Sequence, residues 1–141
     1  MKNIIEELQW RGLVHDIMPG TEEQLLKEMT TTYIGFDPTS DSLHIGSLVP
    51  IILLVHLENF GHKPIALVGG ATGMIGDPSG RNATRPALTL EATRINGNSY
   101  FEQASKILHK EKTKIVYNSE WLGKMSFEDV IKLASKYTVA E

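Results

Sequence analysis

A histidine, a threonine and a small-residue pair stand where an apolar run gives way to a helical one. Residues 32–47 read T-Y-I-G-F-D-P-T-S-D-S-L-H-I-G-S. The side chains of His44 and Thr39 can both donate to phosphate oxygens. A helix starting at Gly46 turns the positive end of its dipole toward the same negative charge. Gly46 has no Cβ, so a flat base can lie against the backbone there. The set supplies donors and a helix end but no nucleophile paired with a base. It suits charge stabilisation on a nucleotide better than covalent catalysis.

A second stretch, residues 69–81, reads G-G-A-T-G-M-I-G-D-P-S-G-R. It matches neither the dinucleotide fingerprint nor the P-loop, since no Gly-Lys-Ser/Thr follows. Its composition fits a plain surface loop as well as a loop that brings backbone close to a ligand. Arg81 and Arg85 follow, before Pro86, and taken singly they read as solvated charges. His56 has no second ligand three or four residues away, His15 reads as a surface residue and His109 suits the dipole at a helix C-terminus, so no metal site is expected.

These residues need a scaffold. Residues 31–36 are apolar and β-prone, and residues 37–41 break the run with turn chemistry. A helix is predicted over 46–60, with Pro50 near its start and Ile51, Leu54, Val55 and Leu57 buried. A second strand is predicted over 65–68. The intervening length suits a right-handed βαβ unit with parallel strands. Further on, a long helix is expected over 89–110, with Gly97-Asn98 as a candidate break and Ile95, Phe101, Ala104 and Leu108 facing the core. A strand over 114–117 follows, then a helix over 127–137 capped by Ser126 with Asp129 at its third position. Before the first strand, helices are predicted over 3–12 (apolar side Ile4, Ile5, Leu8, Trp10) and 22–29. The latter has Thr21 as N-cap and Gln24 at the capping-box position. The fold class is therefore α/β, a Rossmann-like parallel sheet flanked by helices, with its site at the carboxyl ends of the strands.

Composition sets bounds. The 141 residues include 41% hydrophobic and 22% charged residues, a globular balance with room for one core. There are no cysteines, so no disulfide framework or thiol site is possible. Net charge is −3 with scattered basic residues, unlike the basic stripe of a nucleic-acid-binding face. No apolar run is long enough to cross a bilayer, and cytoplasmic residence is the expectation.

Taken together, G-F-D-P-T-S-D-S-L-H-I-G-S and G-G-A-T-G-M-I-G-D-P-S-G-R resemble a class I aminoacyl-tRNA synthetase of the bacterial tyrosyl type. The resemblance extends from about Gln9 to the last residues. It implies an N-terminal helical segment (1–30) and the first half of a nucleotide-binding catalytic domain (31–141). The second half, with its K-M-S-K-S-type loop, and the C-terminal tRNA-binding region lie outside this sequence. Ending at Glu141, where the family's helix continues, the chain is expected to be a piece of a longer homodimeric protein.

The implied reaction is ATP-dependent activation of L-tyrosine to tyrosyl-adenylate and transfer to tRNA(Tyr), with Mg2+ carried on the ATP phosphates. By this resemblance Tyr33, Asp77 and Asn118 meet the tyrosine, and Trp121 supports the pocket. Gly35, Asp37, Pro38, Gly46 and Ser47 meet ATP, and His44, Thr39, Arg81 and Arg85 act on the phosphates. From residue type alone, Tyr33 reads more readily as a core or cross-strand aromatic. Ser47 departs from the family's H-I-G-H signature: it is shorter than histidine and never cationic. Three rival readings remain: another H-x-G-H nucleotidyltransferase, the tryptophanyl enzyme, and a non-catalytic truncated module.

Overall fold

The computed structural model describes residues 3–75, 88–109 and 111–136. Among the described residues the helices are α1 (Ile4–Trp10), α2 (Thr21–Lys27), α3 (Ile45–Asn59), α4 (Thr72–Ile75), α5 (Leu90–Ala104), α6 (Ser119–Leu122) and α7 (Phe127–Ala134). The strands β1 (Thr31–Phe36), β2 (Lys63–Val68) and β3 (Lys114–Tyr117) pair in the order β1-β2-β3, all parallel. Parallel neighbours need a crossover, and α3 supplies the first of them while α4 and α5 lie in the second. β2 begins two residues earlier than predicted and takes in Pro64, which pairs with Thr32.

Register decides which side chains meet the helices. Ile34 lies opposite Ala66, Phe36 opposite Val68, and Val68 opposite Tyr117. Partners in register share a face, and that face is covered. Ile51 and Leu54 of α3 pack there with Ile34, Phe36, Ala66, Ala104 and Leu108. Leu54 is completely buried, so truncating it to alanine would cost about 2–5 kcal/mol. The other face, which carries Tyr33, Gly35, Ile65 and Leu67, stays half-open. A second core joins Ile4, Ile5 and Leu8 of α1 and Leu25 of α2 to Leu57 on the outer side of α3.

Several local expectations change. Trp10 is 77% exposed, not part of the apolar side of α1, and Arg11 stacks over its ring at 5.2 Å. Helix α2 starts at Thr21 itself, because Gly20 takes the left-handed conformation (φ 85°) and occupies the cap position. Gln24 does not close a capping box; its amide donates to Glu28 Oε1 at 3.0 Å. In α7 the predicted box is present, with Ser126 and Asp129 bonded reciprocally.

Helix α5 departs most. It runs without a break through Gly97 and ends at Ala104, and its buried residues are Thr93, Gly97, Tyr100 and Ala104, while Ile95 is 60% exposed. A helix-interior glycine costs about 1 kcal/mol relative to alanine. Here a Cβ would stand 3.0 Å from Val68 Cγ1 and 3.1 Å from the Tyr117 ring. Glycine is therefore what allows α5 to approach the sheet so closely. Tyr117 donates its hydroxyl proton to Asn98 Oδ1 at 2.9 Å, and burial raises its pKa above the ordinary value.

At the amino ends of the strands, Glu58 is buried with His109 Nδ1 2.6 Å and Lys112 Nζ 3.4 Å from its Oε1. His109 lies beyond the end of α5 with its ring against the Glu58 carboxylate, although neither Glu58 oxygen has an aligned hydrogen bond among the described residues. His62 is also buried; its Nδ1 accepts from the Thr30 N–H at 3.3 Å, and desolvation lowers its pKa.

Candidate active site

At the carboxyl end of β1 a polar cleft of about 330 Å3 is lined by Gly35, Phe36, Asp37, Thr39, His44, Gly46, Ser47, Pro50 and Tyr100. Six residues singled out from sequence therefore converge there: Gly35, Asp37, Thr39, His44, Gly46 and Ser47. A larger cavity, about 830 Å3, lies between the first two helices and β1. Its walls are largely aliphatic, including Ile5, Leu8, Leu13, Leu25, Leu53 and Leu57, and none of the residues singled out from sequence for nucleotide chemistry lines it.

His44 is the N-cap of α3, and its Nδ1 accepts the Gly46 N–H at 3.1 Å. A neutral ring bonded in this way carries its proton on Nε2, which is then the donor available to an anion. The Gly46 N–H is thus already engaged, and the Ser47 N–H donates to the His44 carbonyl at 2.9 Å. The helix start contributes its dipole and the histidine more than a row of backbone donors. Gly46 has a second reason to be glycine: a Cβ would lie 3.0 Å from two His44 ring atoms. Pro50 is sixth in the helix, deeper than its sequence position suggested. Having no N–H, it leaves the Gly46 carbonyl without the usual helical donor.

Asp37 ends β1 and turns the chain, its carbonyl accepting the Thr39 N–H at 2.9 Å. Its carboxylate lies flat against Gly69, where any Cβ would overlap Oδ1. A directional chain of hydrogen bonds holds it. Asn118 Oδ1 accepts the Ala71 N–H at 2.8 Å, and Asn118 Nδ2 donates to Thr72 Oγ1 at 2.9 Å. The Thr72 hydroxyl proton is then free to go to Asp37 Oδ1, 3.3 Å away. Asn118, buried at the end of β3, thus ties the glycine-rich turn to the carboxylate. Thr72 was not singled out from sequence, where it was one polar residue inside a glycine run.

Of the other assigned residues, the described Pro38, Tyr33 and Trp121 do not line the cleft. Pro38 is fully buried beneath Gly73 and does not line the cleft. Tyr33 shares the open face of β1 with Gly35 and is 70% exposed, so the pocket expected around its hydroxyl is not closed by the described residues. Trp121 is 46% exposed. Asp77, Arg81 and Arg85 fall outside the described residues. Among the described residues no group of three His, Cys, Asp or Glu side chains is arranged to hold a metal ion.

The sequence pattern describing "tRNA synthetases class I (W and Y)" matches residues 26–141. A tyrosine–tRNA ligase of Flavobacterium johnsoniae is 58% identical over 96% of this chain and 33% of its own length. One of Cytophaga hutchinsonii is 52% identical over 97% of this chain and again 33% of its own. The chain thus spans about a third of the length of the curated relatives it matches. A crystal structure of a C-terminally truncated mitochondrial tyrosyl-tRNA synthetase from Aspergillus nidulans superposes with a TM-score of 0.76 at 26% identity. That match covers 98% of this chain and 43% of the other. The Archaeoglobus fulgidus tyrosyl-tRNA synthetase, solved with L-tyrosine, superposes at TM-score 0.67 and 22% identity, a likeness of fold. It covers 97% of this chain and 42% of that one.

Proposed function

The chain belongs to the class I tRNA synthetases of the W and Y group, and on that premise we propose that it is the first third of a tyrosine–tRNA ligase. In this reading residues 1–30 are a helical lead-in and residues 31–141 begin the catalytic domain. The tyrosine carboxylate attacks the α-phosphorus of ATP; the new P–O bond gives tyrosyl-adenylate as pyrophosphate leaves. The tyrosyl group then passes to a ribose hydroxyl at the end of tRNA(Tyr). The attacking carboxylate is already ionised and no base is required, so the protein's work is positioning and charge stabilisation.

The observation that carries the reading is the cleft at the end of β1, where His44, Thr39, Gly46 and Ser47 meet at the positive end of α3. There the Nε2–H of His44 and the Thr39 hydroxyl donate to phosphate. Gly35 gives the adenine and ribose a side-chain-free floor, and Asp37 and Ser47 are the polar groups nearest the nucleotide. Pro38 contributes by shaping the turn. Arg81 and Arg85 are assigned to the pyrophosphate; Tyr33 and Asp77 are assigned to tyrosine. Asn118 acts on the same site through Ala71 and Thr72. With Asp37 the only carboxylate lining the cleft among the described residues, Mg2+ is assigned to the ATP phosphates and not to a protein ligand set. The apolar residues Phe127, Val130 and Ile131 of α7 are all exposed, and the homodimer of the full-length protein is assigned to the chain that follows this helix. No described helix is long and apolar enough to cross a membrane, and we place the protein in the cytoplasm.

The test is exchange of labelled pyrophosphate into ATP by the full-length protein, with tyrosine, with tryptophan and with no amino acid. Tyrosine-dependent exchange is the expected result. Tryptophan-dependent exchange would move the protein to the other branch of its family, exchange that needs no amino acid would point to another nucleotidyltransferase, and no exchange under any condition would leave a non-catalytic module.

A further inference from the structure

Five hydrogen bonds from one side of α5 converge on the loop that leads into His44. Asn96, Ser99, Tyr100 and Gln103 are spaced i, i+3, i+4, i+7 and so share a helix face. Asn96 Nδ2 donates to the Pro38 carbonyl at 3.0 Å. Ser99 Oγ donates to the Asp41 carbonyl at 2.7 Å, and Gln103 Nε2 donates to the same carbonyl at 3.2 Å. Gln103 Oε1 accepts the Leu43 N–H at 3.1 Å. Ser40 Oγ donates to the Ser42 carbonyl, so at 3.1 Å the Tyr100 hydroxyl is the donor to Ser40.

Residues 37–44 form neither helix nor strand, and within the loop only the short bonds from Thr39 and Ser40 hold its shape. Its carbonyls at 38 and 41 and its amide at 43 are satisfied by α5, which is itself docked on the sheet through Gly97. The helix therefore fixes the loop from outside while β1 and α3 fix only its ends. Gln103 bridges both strands of the turn, since it accepts from Leu43 and donates to Asp41.

We infer that Asn96, Ser99 and Gln103 are positioning residues for the nucleotide reaction, a polar clamp on α5 that sets where the loop delivers His44. The inference rests on the proposed reading of the cleft, because it assigns the clamp's effect to that histidine. None of the three side chains lines the cleft, so each acts through the loop. Uncertainty of about 1 Å in a reacting group is enough to lower a rate up to a hundredfold.

The experiment uses the full-length protein and single-turnover formation of tyrosyl-adenylate. Gln103→Ala removes both the acceptor and the donors and should slow adenylation about 10- to 100-fold, leaving tyrosine binding within twofold. Gln103→Glu keeps the acceptor for the Leu43 amide and should recover part of the rate. Hydrogen exchange at the Leu43 amide, read without substrate, should quicken in Gln103→Ala and less in Gln103→Glu. In a His44→Ala background the Gln103→Ala change should cost less than about threefold, since the group it positions is gone. A full loss persisting without His44, an unchanged rate in Gln103→Ala, or unchanged Leu43 exchange would each overturn the clamp. A parent that forms no tyrosyl-adenylate overturns the reading of the cleft instead, and Leu43 exchange still decides whether α5 holds the loop.

Discussion

Gly69→Ala should disable the site while leaving the fold standing. Gly69 sits just past β2, its N–H donating to the Phe36 carbonyl and its carbonyl accepting from Gly73, both at 2.8 Å. Its backbone is therefore held on both sides and cannot retreat. An added Cβ would overlap Asp37 Oδ1 and stand 2.7 Å from Thr72 Oγ1. To reach an ordinary contact of 3.4 Å, Thr72 must give by about 0.7 Å (3.4 minus 2.7), and Asp37 must give by more. Asp37 is exposed, so its carboxylate can swing into solvent, and overpacking of this kind typically costs about 1–3 kcal/mol. A domain of this size would lose roughly 3–15 °C in Tm. The chemical consequence is larger, because the Thr72-to-Asp37 hydrogen bond is broken and the carboxylate leaves the cleft. A misplacement of that size is expected to slow tyrosyl-adenylate formation by about 10- to 100-fold. Stopped-flow measurement of adenylate formation on the full-length protein, beside a thermal melt, reads both quantities. A rate within twofold of the parent in a folded variant would show that the placement of Asp37 is immaterial. Loss of folding would show that Gly69 is needed for packing alone.

Three further outcomes are expected. Gly35→Ala adds a Cβ that meets nothing within 4 Å, so Tm should hold while the dissociation constant for ATP rises; unchanged ATP affinity would remove the nucleotide from that part of β1. Tyr33→Phe should weaken discrimination against phenylalanine by about 2- to 13-fold, the worth of a neutral hydrogen bond of about 0.5–1.5 kcal/mol, as read from competing exchange assays; unaltered selectivity would leave Tyr33 an ordinary strand aromatic. His62, buried with its pKa below the ordinary 6.5, binds a proton more readily unfolded than folded. Its contribution to stability is thus complete above that value and is lost as pH falls below it, so the melting point of the parent should drop more between pH 7 and 5.5 than that of His62→Gln, and parallel curves would refute the assignment.

Residue order by itself determined most of the scaffold. The apolar, β-prone run at 31–36, the turn chemistry of Asp37 and Pro38, and the apolar helix beginning near Gly46 are local signals, and β1 and α3 lie within a residue of them. The same holds for β3 and for the Ser126 capping box, since a strand's alternation and a cap's spacing are written within a few residues. Local rules failed where a distant partner outweighs them. Gly97 read as a helix break, but Val68 and Tyr117 need the space that its missing Cβ leaves. Thr72 and Gln103 carried no signal, because a threonine or glutamine becomes a positioning residue only when folding brings it to Asp37 or Leu43. Those contacts span 35 and 60 residues, and no sequence period encodes a hydrogen bond across such a separation. Which groups could bind phosphate was legible from residue type and order. Which of their hydrogen bonds are already spent, and so which remain for a ligand, was decided only when β1, α3 and α5 packed together.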